Sequence, residues 1–105
     1  MKTSKAVLIL VSSLIVSACT WVELTPEGNK VQIASPEQVK NCRKVASSTV
    51  SVKAEVATIA RDIGTIQEEL ATLARNSASD LGGNVVVPVS KVNQGKQIFV
   101  IYDCP

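Results

Sequence analysis

An apolar run from Ala6 to Val16, broken only by Ser12 and Ser13, closes on Ser17-Ala18-Cys19 and decides how much of the chain is left to fold. Lys2 and Lys5 precede it, and no acid appears before Glu23. Its eleven residues fall well short of the ~20 that a bilayer-spanning helix needs. They match the apolar core of a secretory signal. Removing residues 1–18 leaves 87 of the 105, enough for one small domain. A core of that size is marginal without an added constraint. Lys2 and Lys5 leave with the signal, so nine basic residues remain against nine acidic ones and the net charge is near zero. With no basic patch, arginine run or interleaved aromatics, nucleic acid is not an expected partner.

Val16-Ser17-Ala18-Cys19 resembles the lipobox of bacterial lipoproteins, in which the cysteine thiol carries diacylglycerol and the peptide before it is cut away. That resemblance implies a covalent lipid on Cys19 and a membrane as partner through the anchor. Each buried methylene contributes about 0.8 kcal/mol, and two or more acyl chains hold firmly where one holds marginally. The alternative is an ordinary secretory peptide cut after Ala18, with Cys19 kept as a thiol. Thr20 stands where an aspartate would mark inner-membrane retention, so the implied destination is the outer membrane, with the domain facing the periplasm.

With Cys19 lipidated, Cys42 and Cys104 remain. An even pair in an exported domain reads as a disulfide, and closing so long a loop would contribute roughly 4 kcal/mol through the unfolded state. A metal pair and two free thiols are the rivals. Two sulfurs in a chain without histidine make a poor zinc site.

Residues 19–29 hold Trp21, Thr25-Pro26 and Gly28-Asn29 and read as a lipidated tether ending in a turn. Trp21, two residues past Cys19, suits either the headgroup level or one edge of the domain. Residues 30–105 form the single domain. Lys30 to Ala34 alternate, with Val31 and Ile33 on one face of a short strand. Ser35-Pro36-Glu37-Gln38 is a capping-box pattern that opens a helical turn or two before Asn41. From Cys42 the period is two: Ala46, Ser48, Val50, Val52, Ala54 and Val56 share one face of a half-buried strand.

A second period competes. Val52, Val56, Ile59, Ile63, Ile66, Leu70 and Leu73 form a heptad seam that would suit one long helix. Gly64 and the fresh start at Thr65-Ile66-Gln67-Glu68 favour instead a loop over 57–64 and a helix over 66–81. Its apolar stripe is Ile66, Leu70, Leu73, Ala74, Ala78 and Leu81; Glu69, Arg75, Asn76 and Asp80 lie away from it. Gly82-Gly83 stops the helix. Val85-Val86-Val87 is apolar on both faces, and Pro88 marks an edge or a bulge. After an Asn93–Lys96 turn, the last strand puts Ile98, Val100 and Tyr102 on one face and Phe99 and Ile101 on the other.

The cysteine opening a Ser/Thr/Val strand, Glu69-Leu70, Leu73-Ala74-Arg75-Asn76, Leu81-Gly82-Gly83-Asn84-Val85-Val86 and Tyr102-Asp103-Cys104 resemble the small enterobacterial-type lipoproteins of domain-of-unknown-function family 4156. The resemblance spans nearly all of residues 19–105. Ala46 departs from it, at a position where the family implies glycine. More remotely, the order of elements is similar to the Rcs envelope-stress sensor lipoprotein, a disulfide-bonded α/β protein. Neither resemblance supplies chemistry.

Without histidine there is no Ser-His-Asp or Cys-His arrangement, and no phosphate loop surrounds Gly82-Gly83. No catalytic, cofactor-binding or metal-ligating residue is assigned, and the chain is not expected to be an enzyme. The expected fold is α+β: a mostly antiparallel sheet of about four strands, one main helix (66–81) packed on it, and one disulfide. The expected function is a lipid-anchored, non-catalytic envelope lipoprotein that binds an unidentified envelope protein or senses envelope state. The alternatives are a small-ligand or metal-binding lipoprotein and a coiled-coil spacer.

Overall fold

Val85, Val86 and Val87 are all buried, although successive strand residues point to opposite faces. Both faces of their strand are therefore covered. A computed structural model describes residues 22–56 and 59–105. Its principal sheet contains β1 (Gln32–Ile33), β2 (Arg43–Ser51), β5 (Val85–Pro88) and β6 (Lys96–Asp103) in the order β1-β5-β6-β2. β5 and β2 flank β6 antiparallel, whereas β1 runs parallel to β5 through Gln32↔Val85 and Ile33↔Val86. The α+β class and four strands are as expected, but the sheet is mixed. The chain between β1 and β5 includes a helix, and a crossover of that length is what a parallel pair requires.

That helix, α1, runs from Ile63 to Asp80, three residues earlier than the expected start. Asp62 is the cap and its carboxylate accepts the Thr65 N–H at 3.0 Å, so Thr65 lies inside the first turn. Aspartate caps at least as well as threonine and adds a favourable charge at the positive end of the helix. Gly64 is tolerated there. Ile66, Leu70, Ala74 and Ala78 are buried at four-residue steps. Leu81, expected on that stripe, lies past the helix end and is 53% exposed. Gly82 takes φ +84° and Gly83 N–H closes onto Ala78 O at 2.8 Å, the left-handed ending that glycine permits.

The heptad seam does not form one helix. β2 ends at Ser51, short of the expected Val56, because β6 begins at Lys96 and the last rung is Val52 N–H to Gly95 O. β3 (Glu55–Val56), at the end of the expected strand, then pairs antiparallel with β4 (Ile59–Ala60), inside the expected loop. α1 has 18 residues, and Ile59 and Ile63 of the seam are exposed.

Two apolar clusters sandwich the sheet. On the helix side, Leu70, Ala74, Val86 and Ile101 are each 0% exposed and pack with Val31, Val50, Ile66, Ala78 and Phe99. On the other side Val39, Val85 and Val87 pack with Tyr102 and the half-buried cysteines. Val39 comes from a 3-10 turn over Pro36–Val39, in which Gln38 Oε1 accepts the Ser35 N–H as the capping box implies. Val31 and Ile33 do not share a face: Val31 is buried and Ile33 exposed. Val31 follows the 3-10 turn Gly28–Lys30, so the turn rather than the pleat aims its side chain. The β2–β6 register slips between Lys44 and Ala46, which turns Val45 toward the helix-side core.

Leu70 has no exposed surface, whereas Leu73 is only partly buried. Leu70→Ala should therefore cost about 2–5 kcal/mol and Leu73→Ala clearly less, as read from paired urea melts; equal losses would contradict the packing described.

Candidate functional site

Cys42 lies just before β2 and Cys104 just after β6, and Arg43 pairs with Asp103 between the two strands. The register leaves the two cysteine Cα atoms 4.4 Å apart, and their sulfurs are bonded. The disulfide expected from cysteine counting is present, in place of a metal pair or free thiols. Three local features support it. Cys42 N–H donates to Val39 O at 3.0 Å. Asn84 takes Cys104 N–H on Oδ1 at 2.8 Å and gives Nδ2–H to Cys104 O at 2.9 Å. Gly83 has no room for a side chain, since a Cβ would collide with Ile101 Cγ2. Leu81-Gly82-Gly83-Asn84 thus ends the helix, admits β5 against β6 and clamps the disulfide end. The Arg43–Asp103 ion pair beside it is exposed and contributes little.

A second cluster was not legible in the apolar pattern. Arg75 and Asn76, off the core stripe, hold the chain N-terminal to β1. Asn76 Nδ2–H donates to Glu23 O at 2.8 Å, and its Oδ1 accepts the Thr25 N–H at 3.0 Å. Arg75 donates from Nε to Val31 O at 2.8 Å and from Nη2 to Asn29 O at 3.0 Å. Part of the expected tether is therefore fastened to α1, as far back as Glu23. Asparagine inside a helix, where its propensity is low, was the available signal. Cys19 and Trp21 lie outside the described residues.

Arg61 makes a third fastening. It donates from Nη1 to Lys53 O at 2.9 Å and from Nη2 to Glu69 Oε2 at 2.7 Å. The Glu69 hydrogen bond, reinforced by its charge, raises the Arg61 pKa above its ordinary value despite some desolvation. This secures the β3–β4 hairpin to the helix.

β1 stops opposite Val86, and among the described residues no strand continues it beside Pro88. Val89 N–H bonds Ile98 O, and antiparallel alternation then aims the missing Pro88 N–H at that vacant side. Pro88 ends an inner strand where its neighbour has run out. An open cleft of about 830 Å³ lies here, lined by Pro36, Ile63, Gln67, Pro88, Val89 and Lys91 among others. A second, of about 540 Å³, lies by Thr49, Lys91, Lys96 and Ile98. Among the described residues no three His, Cys, Asp or Glu side chains gather as metal ligands. Among them, too, no helix is long and apolar enough to cross a membrane.

These features define a small α+β domain closed by a disulfide between the ends of adjacent antiparallel strands. The chain belongs to the family described as domain of unknown function (DUF4156), whose model matches residues 22–104. No curated protein and no solved structure matches it.

The disulfide closes a loop with a sequence separation of 62, which corresponds to about 4 kcal/mol of unfolded-state entropy. Cys42→Ala and Cys104→Ala should lower the melting temperature by similar amounts, and the double variant should be no worse than either. A double variant much less stable than both singles would show that the thiols act separately.

Proposed function

We propose that this is a lipid-anchored, non-catalytic lipoprotein of the bacterial outer membrane that works by binding a protein of the envelope or by sensing envelope state. The observation that carries the reading is the Cys42–Cys104 bond in a chain whose start has the charges, apolar run and Val16-Ser17-Ala18-Cys19 of a lipobox. Disulfides persist in the oxidising compartment to which such a signal leads. Arg75, Asn76, Gly83, Asn84 and Cys104, among the residues that carry the resemblance to the family, hold the scaffold together, and neither of the two clefts described gathers them. That distribution suits a surface that recognises more than a pocket that reacts. A small-ligand reading is second, supported by the cleft of about 830 Å³, which falls within the usual range for ligand sites. A coiled-coil spacer has no support in an 18-residue helix that buries its stripe against a sheet.

Cys19→Ser should abolish incorporation of radiolabelled palmitate and release the domain from membranes; labelling that persists would refute the anchor. Thr20→Asp should move part of the protein to the inner-membrane fraction of a sucrose gradient, and identical fractionation of both proteins would argue against outer-membrane delivery. Partners cross-linked in intact envelopes and identified by mass should include a specific envelope protein.

A further inference from the structure

We propose that β2 is a pairing edge, joined antiparallel to β2 of a second copy so that two four-stranded sheets become one. β2 is the longest strand, nine residues, against a usual five or six. Among the described residues it pairs only with β6. Edges are normally blunted by charge, proline or a bulge. Here the register slip sits at one end, between Lys44 and Ala46, and Val45 to Val52 contain neither charge nor proline.

Alternation fixes which backbone groups are available. Val52 N–H donates to Gly95 on the β6 side, and the N–H and C=O groups of Val50 and Ser48 follow it. Those of Ser47, Thr49 and Ser51 therefore point away from the sheet, and all three residues are exposed. A two-fold axis at Thr49 makes Thr49 its own partner and sets Ser47 opposite Ser51. These are favourable cross-strand pairs and place no lysine opposite a lysine.

The occupant is a second copy because of where the chain leaves the domain. A two-fold that continues a sheet across like edges stands perpendicular to it and keeps the two helix layers on one face. Each chain departs from that layer, since Glu23 is bonded to Asn76 of α1. Cys19 is four residues before Glu23, a reach of at most about 14 Å. Both anchors of the pair thus lie on one side, toward one bilayer. Confinement to that surface raises the effective concentration of copies. This last step rests on the lipid anchor proposed above; the free edge and its symmetry do not.

Two differently tagged full-length copies should be expressed together, with a photo-crosslinking amino acid in place of Thr49 in one of them. Irradiated membranes should yield a product containing both tags. Thr49→Pro in the other copy deletes an outward N–H and no β6 rung, and should reduce that product about tenfold, with the disulfide retained. If Thr49→Pro does not fold, a Ser47→Lys, Thr49→Lys double variant serves the same purpose through charge repulsion. A product that joins position 49 to another protein, the absence of a two-tag product, or a yield insensitive to the folded variants would overturn the proposal. Palmitate labelling of the same membranes reads the anchor separately, so loss of the anchor and loss of pairing are distinguishable.

Discussion

The ladder between β2 and β6, closed at its end by Cys42–Cys104, is the constraint on which the remaining structure depends. It spans Arg43↔Asp103 to Ser51↔Lys96 and joins residues far apart in the chain. The loop entropy of such a pairing must be met before its contacts add stability. The disulfide removes much of that cost from the unfolded state, and Asn84 holds Cys104 in place while β5 docks on the opposite edge of β6. Once β6 is held on both sides, Val86, Phe99 and Ile101 form the platform on which the helix packs.

The helix meets that platform with small residues. Ala74 and Ala78 are fully buried and let the helix backbone come close to the strands, while Gly83 lets the chain turn directly into β5. Close approach leaves the flanks of α1 free for polar work. Arg61–Glu69 secures the hairpin before the helix, and Arg75 and Asn76 secure the segment ahead of β1. Most of these bonds run from side chain to backbone carbonyl. A lost partner would leave a part-buried group unsatisfied, which costs more than the bond itself contributes.

This division of labour bears on function. Arg75, Asn76, Gly83, Asn84 and Cys104 are spent on closing the sheet and pinning loops, and the surface left open lies elsewhere: the edge of β2, the space beside Pro88 and the outer sheet face around Ile98. The domain is also fastened close to its proposed anchor. A segment bonded to α1 as far back as Glu23 leaves little slack, and a short leash orients a small domain as well as retaining it.

The sequence by itself determined what depends on neighbours along the chain and on counting. Paired cysteines defined the disulfide, Ser35 and Gln38 the capping box, Gly82-Gly83 the helix stop, and three successive valines a strand covered on both faces. Tertiary structure decided what depends on residues meeting from a distance. The parallel placement of β1, the end of β2 where β6 runs out of partners, and the choice of Asp62 over Thr65 as cap left no periodic signature. The burial of Val31 without Ile33 and the capture of residues 23–31 by Arg75 and Asn76 left none either. Hydrophobic period reports which way a side chain faces, and it is silent about the polar groups that hold one segment against another; those bonds exist only once the fold has brought their partners within reach.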